Sequence, residues 1–217
     1  MQTTNQKKSW NKIAYSKNFT TPIQSELLHT YIKKKAKIVD VGCGYGRILN
    51  ELHNLGYTNL TGIDFSEKMV KRANKQYPHL NISLQNNPTI DFPDHSFDAV
   101  LLFAVLTCIS ENEKQLFLLN EIKRILKPNG IIYINDFLLN QDNRNLERYK
   151  TYQEKYDTYG IFELPEGLTL RHHSLEWVKE SLSMFKQLAF QTTSFPTMNG
   201  NSSNAYYFIG KNNIDFR

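Results

Sequence analysis

The stretch "IVDVGCGYGRI", residues 38–48, constrains the fold more than any other part of the chain. A short apolar run ends in Asp40, and Gly42, Gly44 and Gly46 follow within five positions. Glycine reaches backbone angles closed to other residues and lets a ligand approach the main chain. A strand, a glycine turn and a helix in that order make a nucleotide-binding corner; a tight turn that binds nothing is the plainer reading. The spacing separates ligand classes. A dinucleotide loop has the pattern G-x-G-x-x-G and presents helix N–H groups to a pyrophosphate. Here the pattern is G-x-G-x-G, and Arg47 stands where the third dinucleotide glycine would be. Asp40 would repel a pyrophosphate and attract a cationic group. The pattern therefore favours a nucleoside ligand with a positive centre and no phosphate. Asp64 ends the next strand about twenty residues on, placed to accept hydrogen bonds from two ribose hydroxyls. Its alternative role is to cap the helix that begins near Ser66.

Around this corner, strands and helices alternate. Residues 22–34 have helical spacing, with Pro22 suited to a first turn. Lys37 to Val41 reads as a strand, Gly46 to Leu55 as a helix, and Leu60 to Ile63 as a second strand. A helix holding Met69, Val70 and Ala73 follows, with Ser66 as its N-cap. Residues 80–84 alternate as a third strand, and "AVLLFAV" after Asp98 suits a strand covered on both faces. An amphipathic helix and the strand "IIYINDF" complete a βαβαβαβαβ rhythm, which predicts an α/β fold with a doubly wound parallel sheet. Residues 141–172 then break the rhythm with a polar, Tyr-rich insertion. "KQLAFQTTSF" and "NAYYFIGK", joined by an Asn-Gly turn, predict a hairpin and hence one antiparallel strand.

Composition narrows the class. The chain has 217 residues, enough for one domain with a full core. Its polar N-terminus lacks the apolar segment of a signal peptide, and its longest apolar run, Ala99 to Ile109, is too short to span a bilayer. Two cysteines, Cys43 and Cys108, make no disulfide framework. A soluble cytoplasmic protein with no membrane partner is expected. The net charge of +5 raises the question of nucleic acid. The densest basic run, Lys33 to Lys37, reads as a solvated helix end, and no Arg-rich patch is interleaved with aromatics, which speaks against that partner.

Four segments, "VDVGCGYGR", "LTGIDFSEKMVKRA", "DFPDHSFDAVLLFAVLTCI" and "EIKRILKPNGIIYINDF", occur in an order and spacing that resembles the class I S-adenosylmethionine-dependent methyltransferases over residues 36–137. The resemblance implies a Rossmann-like seven-stranded sheet with a reversed last strand, and S-adenosylmethionine as cofactor. Asp40 and the loop Gly42, Cys43, Gly44 to Gly46 would hold its methionine moiety, and Asp64 its ribose. Phe65 and Met69 would flank the adenine. Asn86, followed by Asn87, stands where the family carries an Asp for the adenine amino group; its carbonyl accepts the same bond without charge assistance. Phe103 and Ala104 would line the cleft. Thr107 and Cys108 replace a His pair that many small-molecule members carry.

Methyl transfer from a sulfonium is driven mainly by positioning, so the missing nucleophile motif does not count against this activity. Acceptor contacts are expected outside the common core. Trp10, Tyr15 and Phe19 are candidates to close over the site, Tyr15 from the cofactor side. In the insertion, Tyr149, Tyr152, Tyr156 and Tyr159 recur at helical spacing, and Arg171, His172 and His173 follow. Tyr152, Tyr156, Arg171, His172 and His173 are the candidate acceptor-pocket and catalytic residues; core packing and a loop before Ser174 are their plainer roles. The His pair has no third ligand in evident spacing, so no metal is expected. The domain reading is a single unit, residues 1–217: an N-terminal helical cap over 1–35, the cofactor core over 36–137, a helical lid over 138–173, and a C-terminal helix and hairpin over 174–217. The expected activity is methyl transfer to O or N of a small molecule. RNA or protein as acceptor, or a cofactor-binding protein without catalysis, are the alternatives. The oligomeric state is not legible.

Overall fold

The computed structural model describes residues 4–213; the outermost parts of the domain bounds, 1–3 and 214–217, lie outside them. Strands β1 (Ile38–Val41), β2 (Leu60–Asp64), β3 (Asn81–Leu84), β4 (Phe97–Phe103), β5 (Leu126–Phe137), β8 (Lys186–Pro196) and β9 (Ser202–Lys211) build one seven-stranded sheet. Strands β6 (Ile161–Glu163) and β7 (Thr169–Arg171) form a separate hairpin. The helices are α1 (Thr4–Ile13), α2 (Ser25–Tyr31), α3 (Arg47–Asn54), α4 (Glu67–Gln76), α5 (Asn112–Ile125), α6 (Asn143–Tyr152) and α7 (Leu175–Leu182).

The sheet order is β3-β2-β1-β4-β5-β9-β8. The first five pair in parallel, and β9 runs antiparallel to both β5 and β8, so β9 is the reversed strand. Apolar residues on both faces explain the central position of β1 and β4. Ile38 and Leu101 pack into one layer, and Val39, Val100 and Leu102 into the other, all fully buried. Burying each such side chain contributes about 1.5–3 kcal/mol. The order reverses between β1 and β4, which opens a crevice beyond their carboxyl ends.

Two elements depart from the sequence pattern. The helix expected over 22–34 is confined to Ser25–Tyr31. Asn135 Nδ2 donates to Pro22 O at 2.6 Å, and Gln24 N–H donates to the Tyr133 hydroxyl at 2.9 Å, so the sheet holds this entry stretch outside the helix. The insertion is also less helical than expected. Helix α6 stops at Tyr152, and Gly160, at φ +95°, lies so close to His172 O that a Cβ there would sit 2.3 Å away. The chain turns into the β6–β7 hairpin instead of continuing the tyrosine stripe.

Candidate active site

The glycine loop after β1 is tied to β2. Gly42 N–H and Cys43 N–H donate to Ile63 O at 2.8 and 3.1 Å, and Gly44 N–H donates to Asp64 Oδ2 at 2.8 Å. Ser66 N–H donates to Asp64 Oδ1 at 2.8 Å, while the Ser66 hydroxyl accepts from Met69 N–H and caps α4. Capping thus falls to Ser66, and the Asp64 carboxylate keeps lone pairs free toward the crevice. Gly44 has φ +55°, and a Cβ on it would lie 2.4 Å from the Phe19 ring. The missing side chain is what lets the Phe19 ring close down on the loop.

Asp40, Gly42, Cys43, Gly44, Asp64, Phe65, Met69 and Phe103 line one continuous cavity. Burial pushes the Asp40 carboxyl up to about 7; Arg47 pulls it down and Asp64 pushes it up. Burial likewise raises Asp64 to about 6, against the two backbone N–H donors. A buried carboxylate without a charged hydrogen-bond partner, beside a glycine turn, suits an ammonium group. A second carboxylate with free lone pairs suits vicinal hydroxyls, and Phe65 with Met69 suits a flat base. These residues fit S-adenosylmethionine. The Cys43 thiol is buried, and burial with Asp40 and Asp64 nearby pushes it well up, so it is unreactive. Gly46 shapes the turn at φ +82° beneath Ile82 and does not line the cavity.

Asn86 and Asn87 are placed otherwise. Both are exposed, neither lines the cavity, and Asn86 Oδ1 accepts from Lys7 Nζ at 3.2 Å. Tyr15 is 58% exposed and also lies outside it. Trp10 and Phe19 are the aromatics of the N-terminal segment that reach the cavity. The Arg72 guanidinium clamps this segment: it donates to Ala14 O, Lys17 O and Asn18 Oδ1 and lies 3.7 Å over the Tyr45 ring. Phe19 packs on the same tyrosine, with centroids 5.1 Å apart.

Beyond β4, Ala104 adopts φ +54°, a strained angle for a residue with a Cβ. Asp136 holds this turn in place. Its buried carboxylate accepts from Thr107 N–H at 3.2 Å and from Phe137 N–H at 2.7 Å, and burial raises its carboxyl to about 7. Sequence reasoning missed Asp136, although its signal, an acid ending an apolar strand, is that of Asp40 and Asp64.

The acceptor candidates separate. His172 lines the cavity beside Phe137 and Phe162. His173 does not: its Nδ1 bonds Phe137 O at 3.1 Å and its Nε2 meets Gln115 Nε2 at 2.9 Å, a clasp between β5 and α5. Burial drives it down to about 3, so it stays neutral. Arg171 donates to Ser110 O at 3.0 Å and to Asn112 Oδ1 at 2.6 Å, a staple between β7 and the start of α5. Tyr156 turns to a different, polar pocket and donates to Glu163 at 2.6 Å; Tyr152 packs beside it with centroids 6.4 Å apart. Neither tyrosine lines the main cavity. In their place stand Arg144, Arg148 and Phe162, and the turn residues Thr197, Met198 and Asn199. The two arginines were visible at i,i+4 spacing after the N-cap Asp142, but the tyrosine period hid that face.

A glycine loop, two acids at neighbouring strand ends and a crevice at the switch point together define a nucleoside-binding fold of the class I methyltransferase kind. Comparison with known proteins agrees. Residues 39–134 match the Methyltransf_11 family, described as "Methyltransferase domain". The chain is 31% identical to the mouse (Mus musculus) eEF1A lysine and N-terminal methyltransferase, over 48% of this chain and 16% of that protein. It is 28% identical to the sterol 24-C-methyltransferase erg6 of Aspergillus fumigatus, over 74% of this chain and 41% of that one. The match therefore spans less than half the length of either relative. A solved S-adenosylmethionine-dependent methyltransferase from Methanosarcina mazei superposes with a TM-score of 0.82 at 24% identity, covering 87% of this chain and 98% of that one, a likeness of fold. Residues 39–134 are therefore a methyltransferase domain, the chain has the fold of the class I S-adenosylmethionine-dependent methyltransferases, and its cofactor is S-adenosylmethionine.

Proposed function

We propose that the chain methylates O or N of a small-molecule acceptor, with Asp40, the Gly42–Gly44 loop, Asp64, Phe65 and Met69 holding the cofactor. One observation carries the small-molecule reading: the cavity beyond β4 is roofed by the chain's own segments. The N-terminal stretch brings Trp10 and Phe19, the β6–β7 hairpin brings Phe162 and Leu170, and the β8–β9 turn brings Met198. Lys17 pairs with Glu166 at 2.7 Å, and Thr20 Oγ1 donates to Pro196 O at 2.5 Å, which ties these segments together. An aromatic chamber walled in this way suits a compact ligand more than a protein segment.

The cofactor supplies a methyl group activated on sulfur. The residues of this chain then need to bind and orient the acceptor and to exclude water. Phe103, Phe137 and Phe162 offer apolar walls for that. Two buried reduced thiols suit a cytoplasmic setting. The mouse relative favours a protein acceptor as a second reading, but the matched family model ends at residue 134, before the chamber walls contributed by α6 and the hairpin. Incubation of the protein with methyl-labelled S-adenosylmethionine and a cell extract, followed by size fractionation, separates the two. Label in the small-metabolite fraction is expected; label confined to protein or RNA would overturn the reading.

A further inference from the structure

The wall of the chamber formed by α6 and His172 presents hydrogen-bond donors only. Arg144 and Arg148 stand one helical turn apart on α6, and both line the cavity. Arg148 lies flat over the Phe162 ring, 3.5 Å from its centroid. Its Nε is buried without a hydrogen-bond partner, and no ion pair among the described residues involves it. Arg144 has a single carboxylate contact, to Asp142 at 3.6 Å, and sits in the first turn of α6, where the helix dipole adds positive potential. A half-buried cation without a counterion is costly to hold. The carboxylates that line the cavity, Asp40 and Asp64, stand at the ends of β1 and β2, in the cofactor half.

His172 adds a third donor, and its tautomer follows from its neighbours. The Asn140 amide has one orientation: Oδ1 accepts from Asn204 N–H at 2.7 Å, and Nδ2 donates to Leu138 O at 2.9 Å and to Ser203 Oγ at 2.8 Å. The same Nδ2 lies 3.1 Å from His172 Nδ1. The Tyr149 hydroxyl accepts from Asn140 N–H and lies 2.5 Å from His172 Nδ1. Among the described contacts of the hydroxyl, Asn140 N–H is a donor and His172 Nδ1 is the one atom able to accept, so the hydroxyl donates its proton to Nδ1. Burial and the two arginines keep the imidazole neutral. With Nδ1 occupied as an acceptor, the ring carries its one N–H on Nε2.

We propose that the acceptor carries a carboxylate or phosphate group, seated against Arg148, Arg144 and the Nε2–H of His172, with its apolar part between Phe137 and Phe162. The proposal rests on the methyltransferase reading and names the substrate class of that same site. An oxyanion matches the planar guanidinium donors, neutralises a cation that the chain leaves unpaired, and accepts from Nε2–H. His172 thereby orients the acceptor and does not take its proton.

Calorimetric titration of the protein saturated with S-adenosylhomocysteine tests this. The probes are benzoate and phenyl phosphate, with benzamide and benzyl alcohol as uncharged counterparts. At least one anion is expected to bind ten-fold or more tightly than its counterpart, and which one binds separates carboxylate from phosphate. Arg148→Gln and Arg144→Gln are each expected to weaken that binding ten-fold or more. His172→Gln, which keeps an N–H donor, should retain more of it than His172→Phe. S-adenosylhomocysteine should bind the arginine variants within two-fold of the parent. Equal binding of benzoate and benzamide, no binding of either anion, or anion binding that survives both arginine substitutions would overturn the proposal. So would a loss of S-adenosylhomocysteine affinity in folded Arg148→Gln, which would assign the arginine to the cofactor carboxylate. Failure of the parent protein to bind S-adenosylhomocysteine is a separate outcome, and it removes the underlying reading itself. Arg144 is exposed, so its variant keeps the test open if Arg148→Gln does not fold.

Discussion

At the scale of single residues, two carboxylates do most to define the cofactor half. Asp64 offers its free lone pairs to the crevice while Ser66 caps α4, so substitution separates the two tasks. Asp64→Ala is predicted to weaken S-adenosylhomocysteine binding by about 1–3 kcal/mol, the cost of losing hydrogen bonds to a charged acceptor. Unchanged calorimetric affinity in the folded variant would contradict this. Both acids could be singled out in the sequence because each interrupts or ends a short apolar run directly before a turn. Tyr15, Asn86 and Asn87 were not legible in the same way. Their placement depends on the path of exposed loops, which residue type alone does not determine. His172 and His173 look alike in sequence but differ in surroundings: one lines the cavity, and the other is closed between Phe137 O and Gln115.

At the scale of elements, the N-terminal segment and the insertion build the roof. Arg72 holds the segment by three hydrogen bonds to residues 14–18 and by stacking on Tyr45. Arg72→Met is predicted to remove about 1–2 kcal/mol of local stability. Amide exchange measured by mass spectrometry should then speed up over residues 14–20 and remain unchanged in β4; uniform exchange across both would contradict the clamp. Gly160→Ala places a methyl against His172 O at a left-handed φ. It is predicted to raise the KM for the acceptor and leave S-adenosylhomocysteine affinity within two-fold, as measured by steady-state kinetics and calorimetry. The long alternating elements were legible from their periods, and the β8–β9 hairpin from its Asn-Gly turn. The β6–β7 hairpin was not, because each strand has three residues, too few to show a period of two.

At the scale of the whole molecule, three buried acids stand near the carboxyl ends of β1, β2 and β5. Burial raises Asp40 and Asp136 to about 7 and Asp64 to about 6, above the 3.8 of an exposed carboxyl. The folded state therefore holds protons that the unfolded chain releases, and these groups make stability fall as pH rises from about 4 through about 7. His172 and His173 act in the opposite sense below about 6.5, where the unfolded chain protonates them first. The cofactor-free protein is thus predicted to lose thermal stability between pH 6.5 and pH 8. Scanning calorimetry checks this, and a rise over that range would contradict it. The central claim is that buried, ionised Asp40 receives the cofactor's ammonium group, and the affinity of S-adenosylhomocysteine as a function of pH tests it most directly. With Asp40 at about 7, proton competition should make binding about ten-fold tighter at pH 8 than at pH 6. Asp40→Asn should bind weakly, with a shallower pH dependence. An affinity independent of pH in the parent protein, or an Asp40→Asn variant that binds as the parent does, would contradict the account.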